Sequence, residues 1–228
     1  YIFYKVTSFK KEKHFFPQDK ALKKQYITAG AVCGAMLAIS VNFQQFGISA
    51  YPAGAAAEAR SGFITALYVV FVPLLSFFFG KKVSPVIWAS VAVAVVGFYM
   101  LCLSGGISGI YTADILVFIC AFCFAGQIIS VDKFVGLTGG VKLSVMQFTV
   151  AGALSAVFAV IFERPTMENI IAAAPQILYL GIVSSGVGYT LQIVGQKYAE
   201  PSVASLSMSL ESVFAALGGW LISGNTLS

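Results

Sequence analysis

A chain of 228 residues, 58% hydrophobic and only 10% charged, with mean hydropathy +0.88, lacks the polar surface to cover a soluble globule; soluble domains carry about 25% charged residues. The class indicated is an all-α membrane protein, and twenty Phe and ten Tyr suit lipid-facing and interfacial positions. A net charge of +5 does not point to nucleic acid, because seven of the fourteen basic residues, all Lys, crowd between Lys5 and Lys24 and the rest are scattered between apolar runs.

In chain order, "YIFY" reads as the cut tail of an apolar helix, with no Met and no signal-peptide pattern, so the chain is expected to be a fragment. A spanning helix needs about 20 mostly apolar residues. Seven segments meet that requirement: Tyr26–Phe46, Ala55–Phe79, Val86–Leu103, Ile115–Val135, Leu143–Phe162, Gln176–Gln196 and Ser202–Ile222. Short breakers rich in Gly and Pro separate them, and none is long enough for a soluble domain. If the Lys5–Lys24 segment is cytoplasmic and the spans alternate, Lys81, Lys82, Lys133, Lys142 and Lys197 also fall inside, and only Arg60 and Arg164 fall outside. That asymmetry fixes the expected orientation.

An internal repeat is visible. "FQQFGISAYPAGAAAEARSGFITAL" resembles "LQIVGQKYAEPSVASLSMSLESVFA", matching Gln44 and Gly47 with Gln192 and Gly195. The first copy ends in "GKKVS", expected inside, and the second in "GNTLS", expected outside. Equivalent helices would then cross in opposite directions, which is the plan of an inverted-repeat helical bundle.

Polar residues within apolar spans carry what chemistry there is. Glu211 lies near mid-span in "SLSMSLESVFAALGGWLIS"; a carboxylate there is costly unless it faces a cavity, and it suits a proton or cation switch. The alternative is a structural carboxylate bonded to a nearby Ser or Gln. Tyr189, Gln192 and Gln196 share one helical face, as do Asn42 and Gln45. Amides and a phenol can hold an amino-acid-like ligand without fixing its charge; interhelical hydrogen bonding is the structural alternative. The candidate substrate-binding set is Gln45, Gln127, Gln147, Tyr189, Gln192 and Glu211. Glu58 and Arg60 read as solvated or snorkelling groups at the outer interface, and Asp132 and Lys133 as anchors at the inner end of their helix. Gly30 and Gly34 form G-x-x-x-G, which permits close helix packing. Cys120 and Cys123 form C-x-x-C without a second pair or His nearby, so they and Cys33 and Cys102 read as small packing residues. No metal or cofactor site is indicated, and no nucleophile–base motif of an enzyme is present.

Four stretches together resemble the EamA-type transporters of the drug/metabolite transporter superfamily. They are "SGFITALYVVFVPLL" (Ser61–Leu75), "ADILVFICAFCFAGQIISVDKF" (Ala113–Phe134), "LSVMQFTVAGALSAVFAVIFE" (Leu143–Glu163) and "GYTLQIVGQKYAEPSVASLSMSLESVFAALGGWLISGN" (Gly188–Asn225). The resemblance implies ten helices in two five-helix repeats, with both ends cytoplasmic. This chain would hold a truncated first helix and seven complete ones, divided into a first repeat at 1–106 and a second at 107–228. It departs from the family where Glu211-Ser212 replaces Glu-Pro, removing a kink, and where Gly224-Asn225 replaces Gly-Glu. The likeness implies a secondary transporter exporting metabolites or amino acids across a bacterial plasma membrane, with the lipid bilayer and a small-molecule substrate as partners and a homodimer left open. A non-transporting membrane scaffold or sensor is the rival reading.

Overall fold

The computed structural model describes residues 15–52, 57–103, 111–163, 165–211 and 214, and among them the regular structure is helical, with no strand. Helix α1 spans Lys20–Ser49, α2 Ala57–Ala66, α3 Tyr68–Phe78, α4 Pro85–Leu103 and α5 Thr112–Thr138. Then come α6 (Gly140–Phe158) with a π-helical turn at Ala159–Glu163, the short α7 (Met167–Ala172) and α8 (Ala174–Tyr179), a π-helical stretch at Leu180–Tyr189, α9 (Thr190–Gln196) and α10 (Pro201–Met208).

Among the described residues five stretches are long and apolar enough to cross a bilayer: Lys20–Ser49, Arg60–Phe78, Thr112–Thr138, Gly140–Glu163 and Ala174–Gln196. They coincide with five of the seven expected spans. The segment expected at Val86–Leu103 is helical as α4, with a shorter apolar stretch at Pro85–Gly97. The one expected at Ser202–Ile222 is helical over Pro201–Met208, and most of its remainder lies outside the described residues, as does "YIFY".

Helix ends follow local chemistry that hydropathy does not register. α1 starts at Lys20 rather than Tyr26 because the Asp19 side chain accepts the Ala21 N–H at 3.2 Å, an N-cap that draws the lysine-rich turn into the helix. α3 ends in a Schellman motif: Gly80, at φ +79°, donates to Phe77 O while Lys81 N–H reaches Ser76 O, each at 2.9 Å. The exposed Phe77, Phe78 and Phe79 precede Lys81 and Lys82 there, the order expected of an aromatic belt beneath a charged rim. Gly139, also at φ +79°, is the single residue between α5 and α6, and that backbone angle favours Gly.

The described residues divide into two compact units by contact, one from Tyr1–Ile39 and Ser130–Ala199, the other from Ser40–Ile129 and Glu200–Ser228. Division by contact differs from division by repeat, because each unit joins two separate stretches of the chain.

In the first unit, Tyr26, Ala29 and Cys33 of α1 pack with Val131 and Val135 of α5, Leu143 and Met146 of α6 and Ile193 of α9. Gly30 and Gly34 bring α1 against α6. A Cβ at Gly30 would stand 2.6 Å from Met146 Cβ, and one at Gly34 would stand 2.6 Å from Val150 Cβ and 2.7 Å from the Gln147 carbonyl. Tyr26 donates its hydroxyl to Leu137 O at 3.1 Å, so the start of α1 and the end of α5 lie at the same level.

In the second unit, Ala66, Val69, Ile87 and Val91 form one cluster, and Val72, Ala125 and Ile128 another. The Phe71 ring meets Phe118 and Phe122 edge-on at 5.2 and 5.8 Å. Gly47 of α1 allows a close approach to α5, where a Cβ would stand 2.5 Å from Val117 Cγ2.

Candidate functional site

Polar side chains gather differently in the two units. In the first, those on the facing sides of α6 and α9 are neutral. Ser144 of α6 and Thr190 of α9 share a hydrogen bond of 2.6 Å between their hydroxyl groups. One turn beyond Ser144, Gln147 is fully enclosed where Gly34 admits α1. Tyr189 is half-buried with its ring edge-on to Phe148 at 5.9 Å, Gln192 is half-buried, and Gln196 is buried. The face shared by Tyr189, Gln192 and Gln196 therefore turns inward along its length. At the start of α6, Lys142 is buried with its ammonium 5.9 Å from the centre of the Tyr26 ring.

In the second unit the polar centre is charged. Asp114, in the first turn of α5, reaches back to accept the Tyr111 N–H at 2.8 Å, half of a capping box. The same carboxylate receives Arg60, with Nη2 at 2.7 Å on Oδ2 and Nε at 3.3 Å on Oδ1, a two-pronged pair. The Tyr51 hydroxyl donates to Oδ1 at 2.6 Å. The guanidinium lies 4.7 Å from the centre of the Tyr111 ring, a cation–π contact. Tyr51 stands outside the spanning stretches; burial first, then the Asp114 carboxylate it bonds, push its phenol above the usual range.

This network corrects the reading of Arg60 as a solvated or snorkelling group: Arg60 is 6% exposed and ion-paired. Asp114 was not among the expected functional residues. The signals for it were an acid three residues after Tyr111 at a helix start and a lone Arg at another. The side chain of Glu58 lies outside the described residues. Because Arg60 and Asp114 touch, the first turns of α2 and α5 lie side by side.

Of the remaining expected residues, Gln127 is buried in the second unit, while Gln45 and Glu211, also of that unit, are exposed. Gln44 donates to Thr65 Oγ1 at 3.3 Å. The structure thus gathers Gln147, Tyr189 and Gln192 in one unit and places Gln45, Gln127 and Glu211 in the other. Cys33 and Cys120 are buried. Among the described residues no three His, Cys, Asp or Glu side chains are grouped to hold a metal ion.

Residues 111–228 match the EamA-like transporter family. Over 159 residues the chain is 35% identical to an uncharacterized transporter of Archaeoglobus fulgidus, an alignment covering 69% of this chain and 50% of that protein. The chain thus spans about half the length of the curated relative it matches. No solved structure matches it.

Proposed function

Since this chain belongs to the EamA-like transporter family and is a multi-pass membrane protein, we propose that it is part of a secondary transporter that exports small metabolites or amino acids. The carrying observation is the family match, joined to a neutral, inward-turned polar set within a bundle of apolar helices. In this reading Tyr189 and Gln192, half-buried, meet the substrate first, and Gln147 is the enclosed member of the set. Gln45 and Gln127, in their own unit, are further candidates for holding the substrate. An amide and a phenol both donate and accept, so they replace water around a zwitterion without opposing either charge.

The proposed mechanism is alternating access between the two inverted repeats, 1–106 and 107–228, in the plasma membrane with Lys5–Lys24 cytoplasmic. Glu211 serves as the switch, changing protonation or partner during the cycle. No catalytic residue is assigned.

Substrate-competition transport by the full-length protein in membrane vesicles tests the reading. Metabolites or amino acids should compete for a saturable flux, and Glu211→Gln should fold normally yet lose the flux or its pH dependence. A protein that inserts and folds but moves no solute would establish the scaffold reading. Full flux with an unchanged pH profile in Glu211→Gln would remove the switch.

A further inference from the structure

Where the start of α1 runs beside the end of α5, a cleft of about 380 Å³ opens, lined by Lys24, Gln25, Thr28, Lys133, Phe134 and Leu137. Each helix contributes the same spacing, i, i+1 and i+4, so one face of each helix forms a wall. The hydrogen bond from Tyr26 to Leu137 O sets the register between them. By helical rise, Lys24 and Lys133 then start at levels roughly 9 Å apart, on either side of that bond. Two flexible lysine stems, each about 6 Å long, close that gap onto one anion between them.

The chemistry of the lining is one-sided. It offers two ammonium groups, an amide and a hydroxyl, and no carboxylate. Asp132 is half-buried and does not line the cleft, while Asp19 caps α1. The Lys133 ammonium lies 5.5 Å from the centre of the Phe134 ring, which holds the charge over a wall of the cleft. Lys20 and Lys23, both exposed, add to the positive field at this end of α1. Phe134 and Leu137 give the cleft an apolar side, and Leu137 is 39% exposed.

We propose that this cleft binds the phosphate of an anionic phospholipid headgroup, with the lysines on the phosphate and the acyl chains leaving along Phe134 and Leu137. A site at helix ends lies at headgroup depth, where a basic pocket between spanning helices selects anionic lipid. Cargo transport does not enter this inference, which stands or fails apart from the transport reading.

Native mass spectrometry of the full-length protein, titrated with phosphatidylglycerol or phosphatidylcholine, tests it. Phosphatidylglycerol should bind more tightly. Its affinity should fall about fivefold in Lys24→Gln and about thirtyfold in Lys24→Gln/Lys133→Gln, taking each lysine near a phosphate at its usual worth. Lys82→Gln, the same loss of charge outside the cleft, should bind as wild type. Lys24 is exposed, so the single variant keeps the test open if the double variant folds poorly. Inorganic phosphate alone should not displace the lipid. Equal lipid affinity in wild type and Lys24→Gln would overturn the proposal. So would saturation of the site by free phosphate, which would make the ligand a soluble anion.

Discussion

Around Asp114, charge meets charge: Arg60 grips the carboxylate with two nitrogens, Tyr51 and the Tyr111 N–H bond it as well, and the Tyr111 ring lies beside the guanidinium. Around Gln147 the polar groups are a hydroxyl pair, amides and a phenol on facing helices. The difference separates two uses of polarity inside a membrane. A buried ion pair costs desolvation whatever it does, and its strength depends on keeping both partners, so it joins elements that must stay joined. Neutral groups cost less to bury and exchange partners more readily, so they suit a surface that must bind and release.

The largest expected effect is on the charged side. Asp114→Ala leaves Arg60 buried without its carboxylate and should lower stability by about 3–5 kcal/mol, the usual cost of removing one partner of a buried pair. Thermal unfolding of the purified full-length protein in detergent measures it. A melting temperature equal to wild type would mean that the ion pair holds nothing together, and the comparison would break.

How much of this was legible in the sequence follows from the range of each cause. The membrane class and most spans were legible because hydropathy is a property of contiguous residues. The G-x-x-x-G contact was legible because Gly30 and Gly34 mark a face by their own spacing, and both meet α6. The start of α1 was not, because Asp19 extends the helix into residues that hydropathy scores as loop. The Arg60–Asp114 pair was not, because 54 residues separate the partners and no periodicity connects them. Arg60 alone looks like any interfacial arginine, and only the fold brings its acid to it. The candidate amides were legible as polar residues in apolar spans, but which are enclosed, as Gln127 and Gln147 are, and which are exposed, as Gln45 is, depends on tertiary packing.

A smaller effect sharpens the account of the charged cluster. Tyr51→Phe removes one hydrogen bond to a charged acceptor and should cost about 1.5–3 kcal/mol at neutral pH. The pH dependence has a definite sign. The phenol is held above its ordinary value of about 10, so the unfolded chain releases this proton first as pH rises. Below about pH 10 both states keep the proton and the contribution is intact; above it, wild type loses stability. Tyr51→Phe has no such proton, so the gap between the two melting temperatures should narrow as pH rises past 10. A gap that stays constant or widens would place the Tyr51 phenol outside the network.

The central claim is that the neutral set handles cargo while the charged set holds the fold, and Gln192→Leu tests it most directly. Gln192 is half-buried on α9 beside the enclosed groups, and Leu keeps the helix and the volume. Transport by the full-length protein reconstituted in vesicles, with melting temperature measured on the same preparation, gives both readouts. The account predicts flux reduced by about tenfold or more, the equivalent of losing one good hydrogen bond to substrate, with melting unchanged. Wild-type flux in Gln192→Leu, or a loss of flux that only follows a loss of stability, would contradict it.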